Sequence, residues 1–126
     1  MGIVPFSELH THYLKADLFV FASSCENLPN ILLEAMAAGL PIACSSKGPM
    51  PEILGDGGVY FDPIDVESIE QALLKLIMLP NLRNEKAERS FGISQNYSWK
   101  QCADNTLDFC SKTAIAYKSN KKNIVK

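Results

Sequence analysis

Along the first half of the chain, short and almost wholly apolar runs alternate with segments whose apolar residues recur at helical spacing. Crossover helices cover both faces of a parallel sheet and leave its strands no solvent side, so this alternation predicts βαβ units. Ser7 to Ala16 predicts a helix with Ser7 as its cap and Leu9, Tyr13 and Leu14 on one side. Asp17 to Ala22 predicts a strand that leads into Ser23-Ser24-Cys25-Glu26-Asn27. The next helix is expected from about Pro29 to Ala38. Pro29 stands in its first turn, where a missing N–H costs little, and Gly39 just past its end, where positive φ is wanted. Leu40 to Cys44 reads as a second strand, Pro51 to Leu54 as a single helical turn, and Val59 to Phe61 as a third strand between Gly-rich and Asp-Pro turn signals.

From Asp65 onward the pattern is helical. Asp65 is placed to cap a helix carrying Ile69, Ala72, Leu73, Leu76 and Ile77, a stripe that must face an apolar surface. Pro80-Asn81 is expected to end it, with a second helix from Leu82 to about Ile93. Ser98 and Gln101 form a capping-box pattern for a last helix reaching roughly Tyr117. The fold class is therefore α/β: a partial Rossmann-like parallel sheet of about three strands, helices on both faces, and a helical C-terminal extension. One domain is expected over residues 1–117, with a basic polar tail over 118–126. Three strands are few for a doubly wound sheet, so further strands are expected upstream. An open parallel edge in their absence would invite oligomerisation or aggregation.

Composition narrows the function classes. Of the 126 residues 47% are hydrophobic and 21% charged, the balance of an ordinary globular domain. Lys plus Arg number 12 against 14 Asp plus Glu, and a net charge of -2 offers no footprint for nucleic acid or an anionic membrane. The four cysteines lack the paired spacing of zinc or redox sites, which points to free thiols and a cytoplasmic setting. No apolar run reaches the roughly 18 residues needed to span a bilayer, so membrane contact is expected only through parts outside this chain.

The chemistry concentrates in Glu26-Asn27-Leu28-Pro29-Asn30-Ile31-Leu32-Leu33-Glu34, which follows a predicted strand and crosses a helix start. Ligands of open α/β sheets bind beyond the strand C-termini, and a helix start offers unpaired N–H groups to an anion. Leu28, Asn30 and Ile31 can donate; Pro29 cannot. Glu34 lies inside the helix, and because helical side chains lean toward the N-terminus its carboxylate can reach back toward the phosphate end and accept a ribose diol. Glu26 stands before the helix, on the other side of the turn, placed for hydroxyls beyond the phosphates.

Two stretches carry a family resemblance. They are Ala-Asp-Leu-Phe-Val-Phe-Ala-Ser-Ser-Cys-Glu-Asn-Leu-Pro-Asn-Ile-Leu-Leu-Glu-Ala-Met-Ala-Ala-Gly-Leu-Pro-Ile-Ala and Gly-Pro-Met-Pro-Glu-Ile-Leu-Gly-Asp-Gly-Gly-Val-Tyr-Phe-Asp-Pro. Together they closely resemble the C-terminal domain of group 1 glycosyltransferases, retaining GT-B enzymes with a Glu-x7-Glu motif. The resemblance runs from about Val4 to Ser98. It implies that Glu34 holds the ribose, that Glu26 is the catalytic-site acid meeting the donor sugar, and that backbone amides near Leu28, Asn30 and Ile31 meet the diphosphate. It further implies a nucleotide-diphosphate-sugar donor, no cofactor, no dedicated metal, and an acceptor bound by a domain or partner chain absent here.

This sequence departs from the family where a Gly-x-Gly turn often follows the first Glu. It has Asn27 and Pro29 instead, and Asn27 is expected to supply the positive φ that Gly would. The basic residues that neutralise the leaving diphosphate in the family have no counterpart, and Lys47, in the loop after the second strand, is a weak substitute. A chain inactive by itself is the expectation. A non-catalytic nucleotide-sugar-binding module, or a nucleotide-sugar epimerase or phosphorylase of the same architecture, stays open beside the transferase reading.

Overall fold

The computed structural model describes residues 2–124, which fall into two compact units, Met1–Asn96 and Tyr97–Lys126. In the first unit the order is α1 (Phe6–Lys15), β1 (Phe19–Phe21), α2 (Asn30–Ala37), β2 (Ile42–Ser45), α3 (Met50–Leu54), β3 (Gly58–Phe61), α4 (Val66–Met78) and α5 (Pro80–Ser94). The second unit contains α6 (Trp99–Ile124).

The three strands form one parallel sheet in the order β1-β2-β3, with Phe19 opposite Ile42 and Ile42 opposite Gly58. Every residue of the central strand β2 is buried. Alternation along it separates two cores. Ile42 and Cys44 face a cluster with Phe21, Leu32, Ala35, Met36, Met50, Ile53 and Leu54, drawn from β1, α2 and α3. Ala43 faces the other side, against Phe61 of β3 and Ala72 and Leu76 of α4. The sheet is thus covered by helices on both faces, as the apolar strand pattern predicts.

Gly57 lets α5 come close to the entry of β3. A Cβ there would lie 2.8 Å from the Ser90 Cα and 3.0 Å from the Leu54 carbonyl oxygen, both backbone atoms that cannot swing aside. Ser90 is fully buried, and its hydroxyl donates to the Leu40 carbonyl at 3.3 Å, joining α5 to the chain entering β2. At the rim of the same contact Arg89 meets Asp56 at 2.6 Å. Its guanidinium holds the Asp56 carboxyl below the usual carboxylate range.

Several helix ends differ from the sequence expectation. Ser7 does not cap α1: the cap position is Pro5, with no side-chain cap, and the Glu8 amide donates to the Pro5 carbonyl at 2.9 Å. Proline's restricted φ already sets the chain for a helical turn, so the helix begins one residue earlier. Pro80 does not merely end α4. It opens α5 directly after Leu79, in the first turn, where its missing N–H has no intrahelical partner to lose. Ile77 is exposed, so the covered stripe of α4 is narrower than expected, with Ala72 and Leu76 buried and Ile69 and Leu73 packed beside them. Asp65 caps α4 as expected, accepting from the Glu67 and Ser68 amides at 3.0 and 3.3 Å.

In α6 the Gln101 amide donates to Ser98 Oγ at 3.2 Å. The helix continues past Tyr117 to Ile124, because the segment beyond Tyr117 holds neither Gly nor Pro to stop it. Residues 125–126 of the expected tail lie outside the described residues. Among the described residues no helix is long and apolar enough to cross a membrane.

Two substitutions test this packing. Gly57→Ala should destabilise the chain by about 1–3 kcal/mol through overpacking against α5, read as a lower urea midpoint with unchanged slope. Asp65→Ala should cost about 1 kcal/mol from the lost α4 cap, and Asp65→Asn should recover most of it in the same measurement.

Candidate functional site

Parallel strands end on one side, so the segments following β1, β2 and β3 gather at a single edge of the sheet. The loop after β2 lies against the turn after β1: a Cβ on Gly48 would sit 4.0 Å from the Glu26 backbone nitrogen, and Gly48 itself has φ +57°. The same loop meets the segment after β3 through Lys47 Nζ and Asp62 Oδ2 at 3.2 Å. The Asp62 carboxylate also accepts from the Ile64 amide at 3.3 Å. That amide first, and Lys47 next, hold Asp62 below the usual carboxylate range. Lys47 therefore pairs with the segment after β3, while the neighbouring Gly48 lies beside the turn before α2.

Pro29 is not inside the first turn of α2. It is the cap residue, at φ −77° and ψ 91°, and it is buried. Its ring fixes φ while its carbonyl accepts from the Leu32 and Leu33 amides at 3.0 and 3.3 Å. The amides of Leu28, Asn30 and Ile31 have no hydrogen-bond partner among the described residues, and each of these residues is exposed. They stand where the aligned peptide dipoles of the helix leave partial positive charge. Asn27 does not supply a positive φ, since among the described residues only glycines have one. The turn reaches the helix with ordinary backbone angles, so it does not need a Gly-like residue there.

Glu26 is half-buried in this turn, and its side chain makes no hydrogen bond or ion pair with the described residues. Glu34 is half-buried one turn into α2, and its Oε2 accepts from the Tyr13 hydroxyl of α1 at 2.9 Å. Glu34 and Tyr13 share a groove of about 480 Å³ between α1 and α2, which Phe6, Ser7, Ala37 and Ala38 also line. Tyr13 is pushed up to about 12, by burial first and then by the hydrogen bond and charge of Glu34, so it stays a protonated donor at neutral pH. The structure thus gathers Glu26, Asn27, Leu28, Asn30 and Ile31 in one turn and ties Glu34 to α1. No hydrogen bond or ion pair links the two glutamates among the described residues.

Tyr13 escaped the sequence reading, which assigned it only to the apolar side of α1. One signal was available: a tyrosine on the covered side of a helix needs a partner for its hydroxyl. Cys44, by contrast, is a core residue, its thiol pushed up to about 12 by burial.

Comparison with known proteins adds the family. Residues 1–91 match the family described as "Glycosyl transferases group 1". The chain is 32% identical over 108 residues to the O-antigen chain mannosyltransferase B of Escherichia coli, covering 86% of this chain and 28% of that protein. It is 29% identical over 126 residues to a sulfoquinovosyl transferase of Arabidopsis thaliana, covering 96% of this chain and 25% of that protein. In fold it is similar to the sucrose-phosphate synthase of Thermosynechococcus elongatus, with a TM-score of 0.80 at 20% identity over 92% of this chain and 30% of that one. The chain therefore spans about a quarter of the length of these curated relatives. A family match over most of the chain, joined to a Rossmann-like parallel sheet, makes it a member of the group 1 glycosyltransferase family.

Proposed function

We propose that this chain is the donor-binding part of a glycosyltransferase that moves a sugar from a nucleotide-diphosphate-sugar to an acceptor with retention of configuration. The observation that carries the reading is the start of α2. The unpartnered amides of Leu28, Asn30 and Ile31 lie in a family member's chain between two acids, Glu26 in the turn and Glu34 in the helix. Each free N–H aimed at a diphosphate adds a charge-assisted hydrogen bond that water would otherwise make.

In this reading the diphosphate sits over those amides, Glu34 accepts the ribose hydroxyls, and Glu26 meets the donor sugar near the bond that breaks. Asn27 shapes the turn between the acids. Charge builds on the departing diphosphate as the glycosidic bond breaks, and the open amides offset part of it. Lys47 pairs with Asp62 rather than with either glutamate. The reaction requires no cofactor and no dedicated metal, and the acceptor is supplied by a domain or partner chain outside these residues.

Calorimetric titration of the purified chain with UDP and with GDP tests this. One of the two should bind, and Glu34→Ala should weaken it by about tenfold or more, since a hydroxyl–carboxylate bond is worth at least that much. Loss of binding to both nucleotides, or Glu34→Ala binding as the unmodified chain does, overturns the donor site. Transfer itself is expected to be absent from the chain alone, at the level of the Glu34→Ala variant, when a radiolabelled nucleotide sugar is offered with simple sugar acceptors.

A further inference from the structure

A glutamate that is to receive a vicinal diol must present both carboxylate oxygens in one orientation, yet its side chain has several free torsions whose ordering opposes binding. Glu34 meets that requirement through another element. The Tyr13 ring packs on Phe19 of β1 with centroids 6.0 Å apart, and Phe19 stacks on Phe21 at 6.2 Å. Phe19 and Tyr13 both pack against the core under α2. The ring contact places the hydroxyl between α1 and the sheet, and from there it donates to Glu34 Oε2 at 2.9 Å.

We propose that Tyr13 is a positioning residue: its hydroxyl, fixed by ring packing on Phe19, holds the Glu34 carboxylate in the orientation that receives the diol of the nucleotide. The proposal rests on the assignment of Glu34 to the donor. One donated bond leaves ample acceptor capacity, because a carboxylate offers about four lone-pair sites. Oε1 and the remaining lone pair of Oε2 stay available for two adjacent hydroxyls. Tyr13 makes no contribution to bond breaking. It acts by lowering the ordering cost that a mobile glutamate would impose on binding, so its effect exists only while Glu34 is present.

That dependence sets the test. UDP and GDP are titrated into the full chain and into its Tyr13→Phe, Glu34→Ala and doubly substituted forms. Phenylalanine keeps the ring on Phe19 and removes only the hydroxyl. Tyr13→Phe should weaken the nucleotide that binds by about tenfold, and should add nothing in the Glu34→Ala background. Binding unchanged by Tyr13→Phe while Glu34→Ala weakens it overturns the proposal and leaves the donor site standing. The same effect of Tyr13→Phe with and without Glu34 shows a structural role only, and also overturns it. If the unmodified chain binds neither nucleotide, the donor reading fails and this proposal falls with it.

A second readout needs no nucleotide. Alkaline difference spectra of the unmodified chain should contain a tyrosine ionising near 12, absent in Tyr13→Phe and lowered in Glu34→Gln by the lost carboxylate charge, with the larger share of the shift, due to burial, remaining. Because the folded-state value is raised, stabilisation by the protonated phenol is complete below about pH 10 and is lost as pH climbs through about 12. A Tyr13 titration indifferent to Glu34→Gln shows that the Glu34 carboxylate does not bear on the phenol in solution, and overturns the positioning role.

Discussion

The burial of β2 on both faces is the constraint from which the rest of the first unit follows. A strand with no solvent side must be covered twice, and its parallel neighbours can be reached only by crossover connections. Those crossovers become α2 and α3 on the two links between strands, while α4 closes the opposite face over Ala43 and Phe61. One result is geometric. All three strands point the same way, so their trailing loops share an edge and are brought into contact there, Gly48 against the Glu26 backbone and Lys47 against Asp62.

The start of α2 shows how one residue can shape an anion-ready end. Pro29 stands outside the helix and satisfies the Leu32 and Leu33 amides with its carbonyl. The donors left over are therefore Asn30 and Ile31, with Leu28 before them, and none of them depends on a side-chain cap. A Ser or Asp at the cap would fill one of these positions with its own oxygen. Proline, having no such oxygen, leaves them open to solvent or ligand. The same ring, restricted in φ, allows the turn to dispense with the positive backbone angle that a glycine-rich version uses.

Glu34 connects this edge to α1. Its partner lies far back in the chain, and their hydrogen bond spans two elements that both pack against the core beneath β1. The Tyr13 ring packs on Phe19, so the donor to the carboxylate comes from an element outside α2.

The sequence by itself determined the class of the fold, the order of its elements and the family. Apolar strand runs, helical stripes and punctuating Gly and Pro residues act locally, and each is readable within a window of a few turns. The Asp65 cap and the turn at Gly39, with φ +71°, followed from such local rules. Local rules also misplaced several helix ends, because Pro5, Pro29 and Pro80 can each serve just before or just inside a helix, and only the packing around them selects between the two. Tertiary structure alone decided that Lys47 turns to Asp62, that Gly57 admits α5, and that Tyr13 holds Glu34. Each is a contact between residues distant in the chain, and sequence periodicity says which face a side chain occupies but not which group will stand opposite it.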